Sequence, residues 1–409
     1  MAENIVRIIR QFNYYPRIDK IEGFTEGAKA IINGKECITF SSNDYLGLNR
    51  HPRMIEAAIE ATRLFGVGSG GSRLTAGTQA PHCLLEAKIA EFKGTEDAMV
   101  YSAGYLANIG IMPALIGGTL KKLVLSFDPQ NKELLESTEI FVDQLAHASI
   151  IDGIALTARG GNKVPVQIFK NRDMANLKVL LEDSTAGNKL VVTDGVFSLH
   201  GRMAPLDQMV QVAKKFNAEI YVDDAHSTGI FGENGRGTAE LFGVEDEIAF
   251  QVGTLSKALG GQGGFIAGSK DLCDYLRVAA RTHMFQTSMP AGVAMALTIA
   301  IDLIKEEPWR RQRLIAMAEK ARNQLTSLGF NLFNSTTQIL PVGFKNEANA
   351  KKAAEMLMDD GIFAPPYYYP AVGQDEAMVR VNLTAIHTDE EIEKLLSSLE
   401  NIGRKLGII

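Results

Sequence analysis

Apolar and polar positions follow two rhythms that alternate through the middle of the chain. From Arg53 to Phe65 the apolar residues return at helical spacing, with Met54, Ala57, Ala58 and Ala61 on one side, which predicts an amphipathic helix. Lys189-Leu190-Val191-Val192-Thr193-Asp194 is a short apolar run ending in an acid, and it reads as a buried strand. Asp207 to Lys215 returns to helical spacing. Glu219-Ile220-Tyr221-Val222-Asp223-Asp224 is a second strand ending in acids, and Phe250-Gln251-Val252-Gly253-Thr254 is a third. Strand, helix and strand in this order predict a parallel α/β sheet. Ligands of such sheets gather beyond the carboxyl ends of the strands, where these polar residues stand.

The last third reads differently. Pro290 to Lys305 and Arg310 to Leu328 are long helical patterns, followed by short strand candidates and a terminal helix. That helix opens on Thr388 with Glu391 three residues later, the pattern of a capping box. The expected division is an N-terminal arm over 1–40, a large domain over 41–290 and a small C-terminal α+β domain over 291–409. The arm is placed to fold back on the small domain. No internal repeat or low-complexity tract interrupts this order.

Composition narrows the classes. A chain of 409 residues is long enough for one large core and a lesser one. Its formal charge of −6, with no arginine cluster, argues against a nucleic-acid surface. No apolar run is long enough to cross a bilayer, and Met1 to Arg10 lacks the pattern of a cleaved leader, so a cytoplasmic protein is expected. Cys37, Cys83 and Cys273 are odd in number and widely spaced, which argues against a disulfide framework or a zinc site. They are expected to be small core residues, and no metal site is expected.

Several motifs carry chemistry. Gly66-Val67-Gly68-Ser69-Gly70-Gly71 matches a dinucleotide fingerprint in letters, but it follows a helix rather than a strand, so that reading is rejected. Asp223 at a strand end could pair with a protonated pyridine nitrogen, with His226 three residues on reaching the ring's phenolic oxygen. By itself the same acid could equally cap the next helix. Lys257 follows a buried strand in Thr254-Leu255-Ser256-Lys257, and desolvation there would make its amine nucleophilic. The hydroxyls of Thr254 and Ser256 suit a phosphate. The alternative, a lysine on a surface loop, sits poorly with the glycine-rich run Gly260 to Gly264. Tyr101-Ser102-Ala103-Gly104-Tyr105 precedes a helical stretch, which offers backbone amides to a phosphate or is a plain helix start. His147 could stack on a planar cofactor, or be an ordinary satisfied histidine.

Taken in order, these stretches resemble the α-oxoamine synthase family of fold-type-I pyridoxal-phosphate (PLP) enzymes. Members include 8-amino-7-oxononanoate synthase, 2-amino-3-ketobutyrate CoA ligase, 5-aminolevulinate synthase and serine palmitoyltransferase. The resemblance rests on Ser42-Asn43-Asp44-Tyr45-Leu46-Gly47-Leu48, Gly68 to Arg73, His147 to Gly153, Asp194 to Ser198, Asp223 to His226, Thr254 to Lys257, Thr287 to Pro290 and Arg380 to Ala385. It implies the aspartate aminotransferase-like fold, with a mostly parallel central sheet and a smaller C-terminal α+β domain. It also implies PLP held as a Schiff base on Lys257, which doubles as proton carrier at the substrate α-carbon. By the same resemblance Asp223 holds the pyridine nitrogen, His226 and Ser198 lie near the phenolic oxygen, and His147 stacks on the ring. Gly104, Tyr105, Thr254 and Ser256 hold the phosphate, with Thr287 reaching in from a second subunit of a homodimer that shares its active sites. Asn43, Ser72 and Arg380 meet the amino acid, Arg380 through its carboxylate. The implied reaction joins a small amino acid to an acyl-CoA thioester, with release of CoA and usually of carbon dioxide.

The chain departs from the family pattern in places. Extra sequence stands between Gly118 and Phe141, including Asp128-Pro129-Gln130-Asn131-Lys132. Met378 replaces a common arginine, Gln286 a small hydroxyl residue, and Ala371 a frequent threonine. Ser198 is followed by Leu199-His200-Gly201 rather than Met-Asp-Gly. These changes leave the acyl substrate open. Ser72, where glycine-specific relatives carry threonine, points to room for a substrate side chain, unless it merely hydrogen-bonds its own loop. Alanine or serine is expected to be accepted as well as glycine, with alanine slightly favoured by the resemblance to the oxononanoate enzymes. An aminotransferase is the first alternative, and a non-catalytic dimeric binding protein of the same fold the second.

Overall fold

The computed structural model describes residues 2–11, 18–117, 119–131, 137–158 and 164–409. Its centre is a seven-stranded sheet. In space the strands run Asp97–Tyr101, Gly264–Gly268, Phe250–Thr254, Ala218–Asp223, Asn188–Asp194, Thr138–Asp143, Val166–Phe169. The five from Phe250–Thr254 to Val166–Phe169 are parallel, while Gly264–Gly268 runs antiparallel to both neighbours. The parallel sheet expected from the pattern is therefore present, and its antiparallel strand makes it the mostly parallel sheet that the resemblance implies. Helices cover both faces, so the middle strands read as continuous apolar runs. Phe141, Val191 and Ile220 are at most 2% exposed on one face, and Ile140, Val192 and Tyr221 likewise on the other. Each such apolar side chain contributes about 1.5–3 kcal/mol by burial.

Register fixes where the chemistry lies. Asp194 pairs with Asp223 at the carboxyl ends of adjacent strands, and Asp223 pairs with Val252 on the next. Asp223 and Thr254 thus leave the sheet at the same edge.

The rhythm of the sequence translates closely into helices. Pro52–Phe65 begins with proline in its first turn and stops at Gly66, whose φ of 84° an L side chain rarely adopts. The glycine motif follows this helix, in line with the rejection of a dinucleotide site. Leu206–Lys215 and the terminal Asp389–Lys405 also form, the latter with both bonds of the Thr388–Glu391 capping box. Ala291–Glu306 packs on Pro52–Phe65 and Ala80–Lys93. A three-stranded sheet of Ile339–Gly343, Met378–Asn382 and Pro366–Tyr367 occupies the last third. Ile362–Phe363 pairs in parallel with Lys35–Thr39, which joins the first forty residues to that region.

One expectation is corrected. Cys37 and Cys273 are buried, but Cys83 is exposed, because it lies on the outer face of Ala80–Lys93. In the extra segment a helix spans Thr119–Phe127 and a turn follows at Pro129 and Gln130. Lys132 lies outside the described residues. Among the described residues, no helix is long and apolar enough to cross a membrane.

Candidate active site

Two strand ends and one loop bring the buried cluster together. Asp223 ends the strand Ala218–Asp223, and His226 lies in the turn that follows it. Lys257 lies three residues beyond the strand Phe250–Thr254, and its Nζ stands 2.8 Å from His226 Nε2. The other ring nitrogen of His226 is 2.7 Å from the Tyr45 hydroxyl. Both nitrogens are therefore engaged, and Gln338 Nε2 donates to the His226 carbonyl at 2.9 Å. Burial pushes the Lys257 amine down to about 8, with Asp223 opposing that shift. Burial and the neighbouring Lys257 hold His226 well below its ordinary value, so its imidazole is neutral near pH 7. Burial raises the Tyr45 hydroxyl to about 12.

Asp223 is held from behind by a residue that sequence reasoning passed over. Asn108 Nδ2 donates to Asp223 Oδ2 at 2.7 Å and to Ser149 Oγ at 2.8 Å, while Asn108 Oδ1 accepts from the Tyr221 hydroxyl at 2.5 Å. Ser149 Oγ in turn lies 2.7 Å from His147 Nδ1. An unbroken polar chain thus runs from Asp223 to His147, an exposed residue. Asp194 accepts from the His147 amide at 2.9 Å. Burial, with the charge of Asp223 beside it, raises the Asp194 carboxyl well above the usual range. The signal for Asn108 was its place one helical turn beyond Gly104, on the face that meets the strand ends.

A cradle lies next to this cluster. The helix Gly104–Ile116 starts at Ala103, and no side chain caps its first amides. A Cβ on Gly104 would stand 3.0 Å from Thr254 Oγ1, and one on Gly264 would stand 2.5 Å from Gly104 Cα. Only glycines let these segments approach. Thr254 Oγ1 and Ser256 Oγ are 3.1 Å apart across the gap, and both bond the Gly263 carbonyl. Free helix amides facing two hydroxyls make a phosphate cradle. Tyr105 is exposed, and its hydroxyl bonds Asp152.

On the other side of the cluster stands a cation. Arg380, 5% exposed on the strand Met378–Asn382, donates from Nε to the Ser198 carbonyl at 2.7 Å. Its Nη1 lies 3.4 Å from Asn43 Oδ1, which also accepts from Asn382 Nδ2 at 3.1 Å and the Tyr45 hydroxyl at 3.2 Å. Asn43, Arg380, Tyr45, His226 and Lys257 are therefore linked side chain to side chain.

Ser72 and Thr287 belong to a separate group. They form an isolated antiparallel bridge, Ser288 N donates to the Gly71 carbonyl at 3.0 Å, and Ser69 Oγ donates to the Ser288 carbonyl at 3.0 Å. Arg73 anchors the loop through two 2.8 Å bonds to Glu86. Thr287 is exposed, and its carbonyl accepts from Ser102 Oγ at 3.1 Å beside the phosphate cradle. Among the described residues no cluster of histidine, cysteine and carboxylate side chains is placed to hold a metal ion.

A depressed lysine amine against a neutral histidine, a carboxylate at the same strand edge and a phosphate cradle fit an aromatic aldehyde phosphate. The family model for class I and II aminotransferases matches residues 35–399. An 8-amino-7-oxononanoate synthase from Symbiobacterium thermophilum is 39% identical over 98% of this chain and 97% of the relative. One from Geotalea daltonii is 40% identical over 95% and 94%. A serine palmitoyltransferase from S. paucimobilis, solved with a bound PLP–myriocin adduct, is 30% identical. It covers 99% of this chain and 98% of its own, with a TM-score of 0.89. The chain belongs to the class I and II aminotransferase family, with the fold of the fold-type-I PLP transferases. Within that family it is an α-oxoamine synthase, a PLP-dependent acyltransferase, and the comparisons support a transaminase less well.

Proposed function

We propose that the chain condenses alanine with a dicarboxylic acyl thioester, as an 8-amino-7-oxononanoate synthase would. The single observation that carries the assignment of roles is the 2.8 Å approach of Lys257 Nζ to His226 Nε2, within reach of the charges of Asp223 and Arg380. The substrate follows from chemistry and from the names of the relatives. A nine-carbon acid with an amine on C8 and a ketone on C7 divides, at the bond between them, into alanine and a seven-carbon dicarboxylic acyl group. That division costs alanine its carboxylate as carbon dioxide and releases the thiol carrier.

When bound, PLP supplies an electron sink for the negative charge that develops at the amino acid α-carbon. Lys257 would carry the cofactor, and its amine would take and return the proton of the substrate α-carbon. A value near 8 lets it both accept and return a proton close to neutral pH. Asp223, held by Asn108, would hold the ring nitrogen. His226 and Ser198 would serve the phenolic oxygen, and His147 would stack on the ring. Gly104, Tyr105, Thr254 and Ser256 would hold the phosphate. Arg380 would orient the substrate carboxylate with Asn43, and Ser72, which stands apart from the Lys257 cluster within one chain, would leave room for a substrate side chain.

Thr287 completes the phosphate site of a second copy, so the working unit is a homodimer. Its exposure and its backbone pairing with Ser72 support this reading. The proposed compartment is the cytoplasm. The arm over 1–40, large domain over 41–290 and small domain over 291–409 remain our proposed division, which the separate three-stranded sheet supports.

The test is CoA release by purified protein given PLP, with glycine, alanine or serine against acyl-CoAs of graded length and with or without a terminal carboxylate. Release is expected to be fastest with alanine and the seven-carbon dicarboxylic chain. Conversion of bound PLP to its amine form without CoA release would instead establish the transaminase.

A further inference from the structure

The helix Ala80–Lys93 ends on a lysine that points inward. Lys93 is 1% exposed, its Nζ lies 3.8 Å from Asp224 Oδ2, and it donates to the Arg236 carbonyl. Asp224, 2% exposed, follows Asp223 directly and precedes His226 by two residues. Its carboxylate accepts from the Thr238 amide at 2.9 Å, Thr238 Oγ1 at 2.5 Å and Ser227 Oγ at 2.6 Å. Its amide donates to the Val252 carbonyl at 2.7 Å, and its own carbonyl accepts from the Ser227 and Thr228 amides at 3.1 and 2.9 Å. The turn that carries His226 is therefore nailed down through Asp224 at backbone and side chain together.

Space is cleared for this pair. A Cβ on Gly237 would come within 2.0 Å of Asp224 Oδ2, and one on Gly195 within 2.0 Å of Oδ1. A buried cation and carboxylate are a poor source of stability, because desolvation of both offsets their attraction and an apolar pair of equal volume serves as well. What such a pair supplies is a fixed position. Every side-chain partner of Asp224 is a donor, and Lys93 is the cation that compensates it. Burial depresses the Lys93 amine, and Asp224 opposes that shift.

We propose that Lys93 is a positioning residue, which acts through Asp224 to hold Asp223 and His226 in place for the cofactor on Lys257. This rests on the reading of those three residues given above. Neither Lys93 nor Asp224 touches the reacting groups, so the effect is one of alignment.

Two variants test it, Lys93→Met and the neutral pair Lys93→Met/Asp224→Asn. The pair leaves no uncompensated buried charge and is the variant to use if the single one does not fold. An asparagine at 224 cannot accept from all three donors, so the turn is loosened. The expected result for either is a PLP dissociation constant raised about tenfold or more. The pH midpoint of the visible absorbance of the Lys257–cofactor adduct should also move by about half a unit or more. A lower melting temperature with both of these unchanged would make Lys93 merely structural and overturn the proposal, as would no change at all. Borohydride reduction of the wild type keeps the two readings apart. A label absent from Lys257 there defeats the site assignment itself, whereas a label present with unaltered variants defeats only the role of Lys93.

Discussion

The Lys257 cluster and the Ser72–Thr287 edge are built on opposite terms. In the first, Asp223, Asn108, His226 and Tyr45 are at most 5% exposed, and each is bonded side chain to side chain. In the second, Ser72 and Thr287 meet by a backbone bridge, and Thr287 is exposed. A polar network in low dielectric is strong when every member is satisfied, and it holds reacting groups in place before substrate arrives. An exposed edge gains position only when something packs on it. The difference teaches that one chain builds the chemical centre whole, whereas the rim is the part that we propose a second copy completes.

The comparison predicts unequal sensitivity. Lys257→Ala removes the proposed proton carrier, and kcat for CoA release should fall by about 10³–10⁴-fold in a protein that still folds. Activity within tenfold of wild type would move the chemistry elsewhere. Arg380→Ala should weaken amino-acid binding about ten- to a hundred-fold in a spectral titration, by the 1.5–3 kcal/mol of a charge-assisted bond, while cofactor absorbance survives. Unchanged affinity would remove Arg380 as the carboxylate anchor.

The third prediction concerns pH. The neutral amine is the nucleophile, and burial lowers Lys257 to about 8. The rate of PLP capture by apoprotein should therefore rise with pH through a midpoint near 8, where an exposed lysine would require about 10.4. The linkage has the same sign. Between about 8 and the unfolded value the unfolded chain binds the extra proton, so this group's contribution to apoprotein stability grows as pH rises across that window. A capture midpoint near 10 would mean that the amine is not desolvated. At the rim the effect is smallest. Thr287→Ala should raise the PLP dissociation constant only about two- to tenfold, the worth of one hydrogen bond. Light scattering that finds a strictly monomeric protein with full activity would remove the partner from the account.

What the sequence disclosed follows the same division. Strand ends are readable from an apolar run that closes on an acid or a hydroxyl, which marks Asp223, Thr254 and Lys257 as candidates. Asp223 alone could equally cap a helix, and only the resemblance gives these residues their roles. Asn108 and Tyr45 are not marked in this way. Each lies in an ordinary helix or loop pattern, and its importance comes from partners 115 and 181 positions away. Lys93 was invisible for a related reason, since a lysine closing a helix reads as a solvated C-terminal charge until the fold buries it. Cys83 was misplaced because residue type alone suggested burial, whereas its helix turns that position outward.

The most direct measurement is reduction of the PLP-loaded protein with borohydride, followed by peptide mapping of the retained cofactor. The account predicts a single label, on Lys257. A label on any other lysine, or none in a protein that binds PLP stoichiometrically, would contradict it.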